Sequence, residues 1–258
     1  MKSNIKEEIT LDTKAWENDY KIILSPEYLN KLSSLTTINP SQICVFINNV
    51  WLRGPVQKMA QKALDDGLIS RFVFVDDLAD EVLEHFALKK AELGFGYRYS
   101  ICELAAVYLN NRPYTMHFAS DTLPISELNT EFYSSAIKLL RDSSDVSVVN
   151  MMWNQDVEEH ASQSIYDDNN FWYSAGGFSD QMYLVKTNEF RNQIYSFKHP
   201  ESNRYPLHAH GLFEQRVDSY LRTKNKIRAT YKHVGYRHLN HPVTLRSRVL
   251  RKVMSTSR

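Results

Sequence analysis

Two short apolar runs with an amphipathic segment between them constrain the fold of this chain more than any other feature. The runs are residues 43–47 and 72–75, and neither contains a polar residue. Such runs are typical of strands that are buried on both faces of a parallel sheet. Between them, after Gly54-Pro55, apolar residues recur at helical spacing over residues 56–64. A strand, helix and strand in this order imply a right-handed crossover and parallel pairing, so the sequence predicts an α/β fold.

The same alternation continues along the chain. Further strands are predicted at residues 114–118, 146–152 and 182–185. Further helices are predicted at residues 27–35, 80–93, 101–108 with Arg98 at its start, 131–141 and from just after Gly211. We therefore expect a single domain with a central mixed, mostly parallel sheet that is flanked by helices.

Two stretches fit this alternation poorly. Residues 1–40 are mixed in character and are interpreted as a preface to the sheet. Residues 153–175 are polar, carry Trp and Tyr, and are predicted to form a long loop, a kind of segment that is usually functional or mobile.

Composition excludes several classes of protein. The 258 residues carry a formal net charge of +1, so the chain lacks the basic excess of a nucleic-acid binder. Charged residues stand at the start of the chain, where a secretory signal needs an apolar run, and we expect a cytoplasmic location. Cys44 and Cys102 lie in apolar segments and are predicted to be reduced core residues.

Polar side chains follow three of the predicted strands. Asn48 and Asn49 come after the first apolar run, Asp76 after the second, and Asp121 after residues 114–118. Open α/β sheets bind their ligands at the carboxyl ends of strands, so these residues are candidate ligand contacts. Asp121 is equally compatible with a helix N-cap or a turn, and paired asparagines are more often turn formers.

Charged residues at two predicted helix starts are further candidates. Arg98 suits a phosphate, because its guanidinium and the free N–H groups of a helix start both favour an anion, although a surface ion pair is the alternative. Glu214 falls in a first helical turn, where the helix dipole also stabilises a carboxylate without any catalytic role.

The last candidates lie near a glycine pair and in a histidine-bearing run. Gly176-Gly177 would let the backbone approach a ligand, and Asp180 would then bind an acceptor hydroxyl or cap a turn. His233, His238 and His241 each have the chemistry of a metal ligand, a role that a lone histidine usually lacks.

The order in which these motifs follow one another along residues 41–242 resembles that of the GT-A superfamily of nucleotide-sugar glycosyltransferases. The family's central strand ends in Asp-x-Asp, whose last aspartate holds a divalent cation on the donor's diphosphate. The corresponding triplet is Ala119-Ser120-Asp121, which keeps only that last aspartate. The resemblance implies Mn²⁺ or Mg²⁺ at Asp121, with His238 or His241 as a further ligand and His241 preferred.

The resemblance also implies that two parts of the chain bind different substrates. Residues 41–125 would bind the nucleotide-sugar donor through Asn48, Asn49, Asp76, Arg98 and Asp121. Residues 126–242 would form the acceptor side. There Gly211-Leu-Phe-Glu214 is similar to the family's acidic motif at a helix start, although Gln215 follows where the motif has an acid.

These residues would cooperate in sugar transfer. The cation at Asp121, together with Arg98, would stabilise the negative charge that develops on the leaving diphosphate. Glu214 would take the proton of the attacking hydroxyl, which gives inversion in one displacement, and Asp180 is the reserve base.

The predicted function is a metal-assisted glycosyltransferase acting on a glycan or lipid-linked glycan, as in the synthesis of a surface polysaccharide. A non-catalytic sugar- or nucleotide-binding scaffold of the same fold is an alternative. A nucleotidyltransferase is disfavoured, because residues 48–53 lack the glycines of a nucleotide loop.

The basic amphipathic tail, residues 243–258, suits peripheral contact with the inner face of a membrane. Packing of the tail against the body of the protein is favoured over that contact.

Overall fold

A ten-stranded mixed sheet forms the centre of the computed structural model, which describes residues 5–205 and 210–239. The strands are β1 (Ile9–Ala15), β2 (Ile43–Ile47), β3 (Arg71–Phe74), β4 (Tyr114–Phe118), β5 (Thr122–Pro124), β6 (Val146–Trp153), β7 (Tyr166–Asp167), β8 (Phe171–Ser174), β9 (Met182–Lys186) and β10 (Ile227–His238). Their order across the sheet is β3-β2-β1-β4-β9-β6-β10-β8-β7, and β5 pairs with β10.

Strand direction confirms the predicted fold class. β1, β2, β3, β4, β6, β7 and β10 point one way, whereas β5, β8 and β9 point the other. The sheet is therefore mixed and mostly parallel, as the strand–helix–strand pattern predicted.

Helices cover the sheet on both faces. They are α1 (Tyr20–Ile23), α2 (Pro26–Thr36), α3 (Arg53–Asp65), α4 (Ala79–His85), α5 (Tyr97–Leu109), α6 (Thr130–Asp142), α7 (Val157–Gln163), α8 (Thr187–Phe190) and α9 (Phe213–Thr223). The predicted helix at residues 80–93 is shorter than expected, because α4 ends at His85 and a separate 3₁₀ segment covers Lys90–Gly96.

Alternate residues of the central strands enter two separate cores. Ile43 and Val45 of β2 pack with α2, α3 and α6, while Cys44 and Phe46 pack with α5 and α9 on the opposite face. This alternation follows from the pleat of a strand, and it explains why residues 43–47 are apolar without interruption. Both cysteines are buried and unpaired, as predicted.

Residues 1–40 are not a preface to the sheet. Strand β1 pairs in parallel with both β2 and β4, so it lies inside the parallel half of the sheet. We missed it because Asp12, Thr13 and Lys14 interrupt its apolar pattern, although Asp12 and Thr13 are buried.

Two later segments also differ from expectation. Residues 153–175 are not one long loop, because they contain α7 and the antiparallel pair β7–β8. The histidine-bearing run is mostly strand, since β10 extends to His238. His241 and the tail at residues 243–258 lie outside the described residues. Within the described ranges, no helix is both long enough and apolar enough to cross a membrane.

Candidate active site

Two cavities adjoin at the carboxyl ends of the parallel strands. The strand-end cavity, of about 290 Å³, lies beyond β1, β2 and β4, and its lining includes Lys14, Asn48, Asn49, Arg98, Asp121 and Asp180. The arginine-lined cavity, of about 680 Å³, includes Asp180, Arg204, Glu214, Arg222, Arg228 and His238. Asp180 and Gln181 line both cavities, so the two open on the same residues.

Asp121 stands in a turn that follows β4. Backbone hydrogen bonds hold this turn, from Ala119 N to Gln181 O at 2.8 Å and from Thr122 N to Ala119 O at 2.9 Å. The Asp121 side chain is 46% exposed, so its carboxylate remains open to a ligand in the strand-end cavity. Asp121 is therefore placed where the sequence predicted it, beside the carboxyl ends of the parallel strands.

His238 is brought to Asp121 by the end of β10. Its Nδ1 atom lies 3.8 Å from Oδ2 of Asp121, and its side chain is 41% exposed. Within the described part of the chain, no three His, Cys, Asp or Glu side chains are grouped to hold a metal ion. The Asp121 carboxylate fits a divalent cation that also binds the phosphates of a substrate, because Mg²⁺ sites often use one or two carboxylates plus phosphates and water. An imidazole nitrogen, a ligand of several divalent transition metals, is what His238 would add.

Asn48, Asn49 and Arg98 meet at the start of α5. The side-chain amides of Asn48 and Asn49 both donate to the backbone oxygen of Arg98, the latter at 3.4 Å. The asparagines thus position the first turn of α5 beside the cavity. The predicted cluster at the strand ends is present, although these amide N–H groups are directed at the backbone.

Asp76 does not join this cluster. It lies in a short 3₁₀ segment after β3, is exposed, and is absent from the linings of both cavities. Its charge acts instead on Tyr97 and Arg53. The sequence placed Asp76 at a strand end correctly, but β3 is the edge strand, so that end lies away from Asp121.

Lys14 is a site residue that the sequence analysis missed. It lines the strand-end cavity and forms an ion pair with Glu103 of α5, whose side chain is 1% exposed. Burial lowers the pKa of Lys14, but the charges of Glu103 and Asp180 outweigh burial and raise the pKa above its ordinary value. The ammonium group therefore stays charged beside Asp180. In the sequence, the one indication that Lys14 lies in a strand is the spacing of the apolar residues Ile9, Leu11 and Ala15.

Glu214 and Asp180 are interacting carboxylates on the wall of the arginine-lined cavity, and Asp180 also lines the strand-end cavity. Burial, reinforced by the charges of Asp180 and Asp218, raises the pKa of Glu214 to about 9 despite the opposing charge of Arg204. Glu214 therefore holds a proton at neutral pH. The prediction that Glu214 begins a helix is confirmed, since α9 starts at Phe213.

The Gly176-Gly177 pair leads the chain to Asp180. Both glycines have positive φ angles, 97° and 81°, which favour glycine. Behind them lie Arg204, Arg222 and Arg228, three cations that the sequence analysis did not connect with the site. They come from three different elements, the 3₁₀ segment Pro200–Arg204, α9 and β10, so the pattern of one element could not have grouped them.

No family model matches the chain, and no curated protein is similar to it in sequence. The structure is similar to that of glucosyl-3-phosphoglycerate synthase from Mycobacterium tuberculosis, solved with Mg²⁺ and uridine diphosphate. The identity is 12% over 92% of this chain and 75% of that chain, with a TM-score of 0.47. It is also similar to mouse xyloside xylosyltransferase 1, at 11% identity over 92% of this chain and 99% of that chain, with a TM-score of 0.48.

A third similar structure is S. aureus TarS, at 8% identity and a TM-score of 0.48, where 90% of this chain covers 36% of that chain. All three of these structures have TM-scores below 0.5 and identities of 12% or less. A likeness at this level does not extend to activity, so the function has to be inferred from the site itself.

Proposed function

We propose that this protein transfers a sugar from a nucleoside-diphosphate donor to a hydroxyl group of an acceptor. The observation that carries the proposal is the shared wall of the two cavities. One cavity presents Asp121, Arg98 and Lys14, and the other presents Glu214, with Asp180 on the boundary. A displacement needs a leaving group on one side of the reacting carbon and a base on the other. The strand-end cavity would hold the leaving group, and Asp180, on the wall that both cavities share, would face an acceptor in the arginine-lined cavity.

The strand-end cavity suits the donor's diphosphate. Lys14 and Arg98 are cations on its lining, and they would stabilise the charge that develops as the bond to the sugar breaks. Asp121 and His238 would hold a divalent cation, Mn²⁺ or Mg²⁺, which supplies further charge stabilisation on the diphosphate when bound.

Asp180 takes the role of the base in this proposal. The acceptor oxygen bonds to the anomeric carbon as the bond from that carbon to the diphosphate oxygen breaks, and the acceptor's proton passes to Asp180. The nucleoside diphosphate leaves with the electron pair, and the anomeric centre is inverted. Glu214 was our first candidate from the sequence, but it holds a proton at neutral pH and would instead donate a hydrogen bond to the acceptor.

The acceptor and the cellular location are proposed from the sequence and from the resemblance of its motifs. We propose a hydroxyl of a glycan or lipid-linked glycan in a polysaccharide pathway, on the cytoplasmic side of a membrane. Peripheral membrane contact would be made by residues 243–258, which lie outside the described part of the chain.

Isothermal titration with UDP, GDP and CDP, with and without Mn²⁺, tests the donor site. We expect one nucleotide to bind with Mn²⁺ and Asp121→Ala to weaken that binding by about tenfold or more. Asp76→Ala is the matched control, because Asp76 follows β3 but lies outside both cavities. If no nucleoside diphosphate binds at millimolar concentration, the donor site is refuted and a non-catalytic scaffold becomes the better explanation.

A further inference from the structure

Arg228 is a buried cation whose described hydrogen-bond acceptors are neutral. Its residue is 2% exposed, and it lines the arginine-lined cavity from β10. Its Nη2 atom donates to Ser174 Oγ at 3.2 Å and to Gln163 Oε1 at 3.4 Å. Its Nε atom is buried and has no hydrogen-bond partner. A buried guanidinium in this state is costly unless an anion pairs with it.

The neighbouring cations increase the free-energy cost of keeping Arg228 charged in the protein interior. Burial lowers the pKa of Arg228 to about 10, and although Tyr205 opposes this effect, the positive charge of Arg204 adds to it. Arg204 Nη1 and Arg222 Nε lie 3.2 and 3.1 Å from the same oxygen of Asp218, which is fully buried. Arg222 is also paired with Glu201. The charge of Asp218 raises the pKa of Arg228, but no carboxylate is among the described hydrogen-bond acceptors of Arg228.

The other carboxylates on the cavity wall are engaged elsewhere. Asp180 interacts with Lys14 and Glu214, and Glu159 accepts a hydrogen bond from Gln163 at 3.1 Å. Glu214 is protonated at neutral pH and adds no negative charge there. The three arginines lie together beside Gly176 and Gly177, and none of their described hydrogen bonds goes to Glu159 or Asp180.

Gly177 keeps this end open. A Cβ atom at Gly177 would lie 2.5 Å from Nη1 of Arg228 and 3.5 Å from Nη2 of Arg204. The two guanidinium groups therefore approach the backbone of a residue that has no side chain. A larger residue at this position would separate Arg228 from Arg204 and close the space between them.

We propose that Arg228, with Arg204 and Arg222, forms a subsite for a phosphate or carboxylate group carried by the acceptor. A guanidinium group binds either anion through parallel N–H donors. The subsite lies in the cavity opposite the one that would hold the donor's diphosphate, with Asp180 between them. The acceptor assignment rests on the proposed glycosyltransferase function, whereas anion binding itself does not.

Titration of inorganic phosphate tests the subsite. Wild type, Arg204→Gln and Arg228→Lys are compared without UDP and again at saturating UDP and Mg²⁺. In the second titration, UDP keeps phosphate out of the strand-end cavity. We expect both substitutions to weaken phosphate binding by about tenfold or more, because each removes part of a charge-assisted contact. Arg204 is 46% exposed, so its replacement carries little risk of unfolding. Arg141→Gln is the matched control, because Arg141 is exposed at the end of α6 and lines neither cavity.

Each alternative result has its own meaning. Equal phosphate binding by wild type and both variants would overturn the subsite. If UDP displaces phosphate in competition, the arginines hold the donor's diphosphate and the acceptor assignment is overturned. If no nucleoside diphosphate binds, yet phosphate binding still depends on Arg204 and Arg228, the glycosyltransferase proposal fails and the anion subsite stands. Titration of acetate in parallel shows whether the subsite prefers phosphate or carboxylate.

Discussion

The Nδ1 atom of His238 lies 3.8 Å from Oδ2 of Asp121. Asp121 lines the strand-end cavity and His238 lines the arginine-lined cavity, so the pair bridges the two halves of the candidate site. The backbone supports this contact, since Leu239 N donates to Asp121 O. The end of β10 is therefore held against the turn that follows β4, and the histidine is positioned by the sheet.

Replacement of His238 tests this relationship. We expect His238→Ala to weaken nucleoside-diphosphate binding by about tenfold in Mn²⁺ and to change metal-free binding little, because only the former uses the imidazole nitrogen. Titration calorimetry under both conditions provides the measurement. His233→Ala is the control, because His233 lies on the same strand and bonds Asn170 instead. An equal loss with and without metal would indicate a structural role for His238.

Glu214→Gln should change the pH dependence of stability. The pKa of Glu214 is about 9 in the folded protein, against an ordinary value of 4.5. Between these values the folded state holds a proton that the unfolded chain has lost, so the free energy of unfolding falls as pH rises. The contribution of the protonated group is complete below the unfolded pKa and is lost as pH approaches 9.

The variant removes this proton linkage. We expect Glu214→Gln to be more stable than wild type at pH 8 by about 1 kcal/mol or more, and to match it near pH 4. Urea unfolding at both pH values measures the difference, with Glu158→Gln on α7 as an exposed control. A constant difference at all pH values would contradict the raised pKa.

Variants of Lys14 and Glu103 distinguish an effect on stability from an effect on ligand binding. We expect Lys14→Met to lower the free energy of unfolding by about 3 kcal/mol, because Glu103 would remain buried without its cation. The double variant Lys14→Met/Glu103→Leu should recover most of that loss, since two apolar side chains replace the pair. Urea unfolding measures both effects.

Nucleotide binding should respond differently from stability. We expect neither variant to bind a nucleoside diphosphate as tightly as wild type, because Lys14, one of the cations that line the strand-end cavity, is missing in both. Recovery of wild-type binding by the double variant would show that Lys14 is purely structural. Glu103→Gln, which keeps Lys14, is the matched control for this comparison.

Elements with a regular pattern could be predicted from the sequence. β2 and β4 matched their predicted bounds, and α6 and α9 lay within a residue or two of their predicted starts. In each of them the spacing of apolar residues reports directly which side chains are buried. The same information placed Asp121, Arg98 and Glu214 at the ends of elements, where side chains reach a ligand.

Strand β1 could not be recognised in this way. Its burial depends on polar partners that lie far along the chain, namely His117 for Asp12 and Glu103 for Lys14. The sequence does not show that Asp12 and Lys14 have these partners. Without that information, a strand with buried charges has the same pattern as a surface segment of polar and apolar residues. Asp76 is the opposite case. The sequence places it correctly at a strand end, but a residue there reaches the site only if its strand lies beside the other strands that form the site.

The amino-acid sequence by itself determined the α/β class, most of the helices and strands, and a set of candidate residues at their ends. Only the tertiary structure decided which of those residues meet. It placed His238 beside Asp121, set Asp180 between two cavities, and gathered Arg204, Arg222 and Arg228 around Gly177. The physical reason is that periodicity records burial along one element, whereas a site forms where the order of strands brings several elements together.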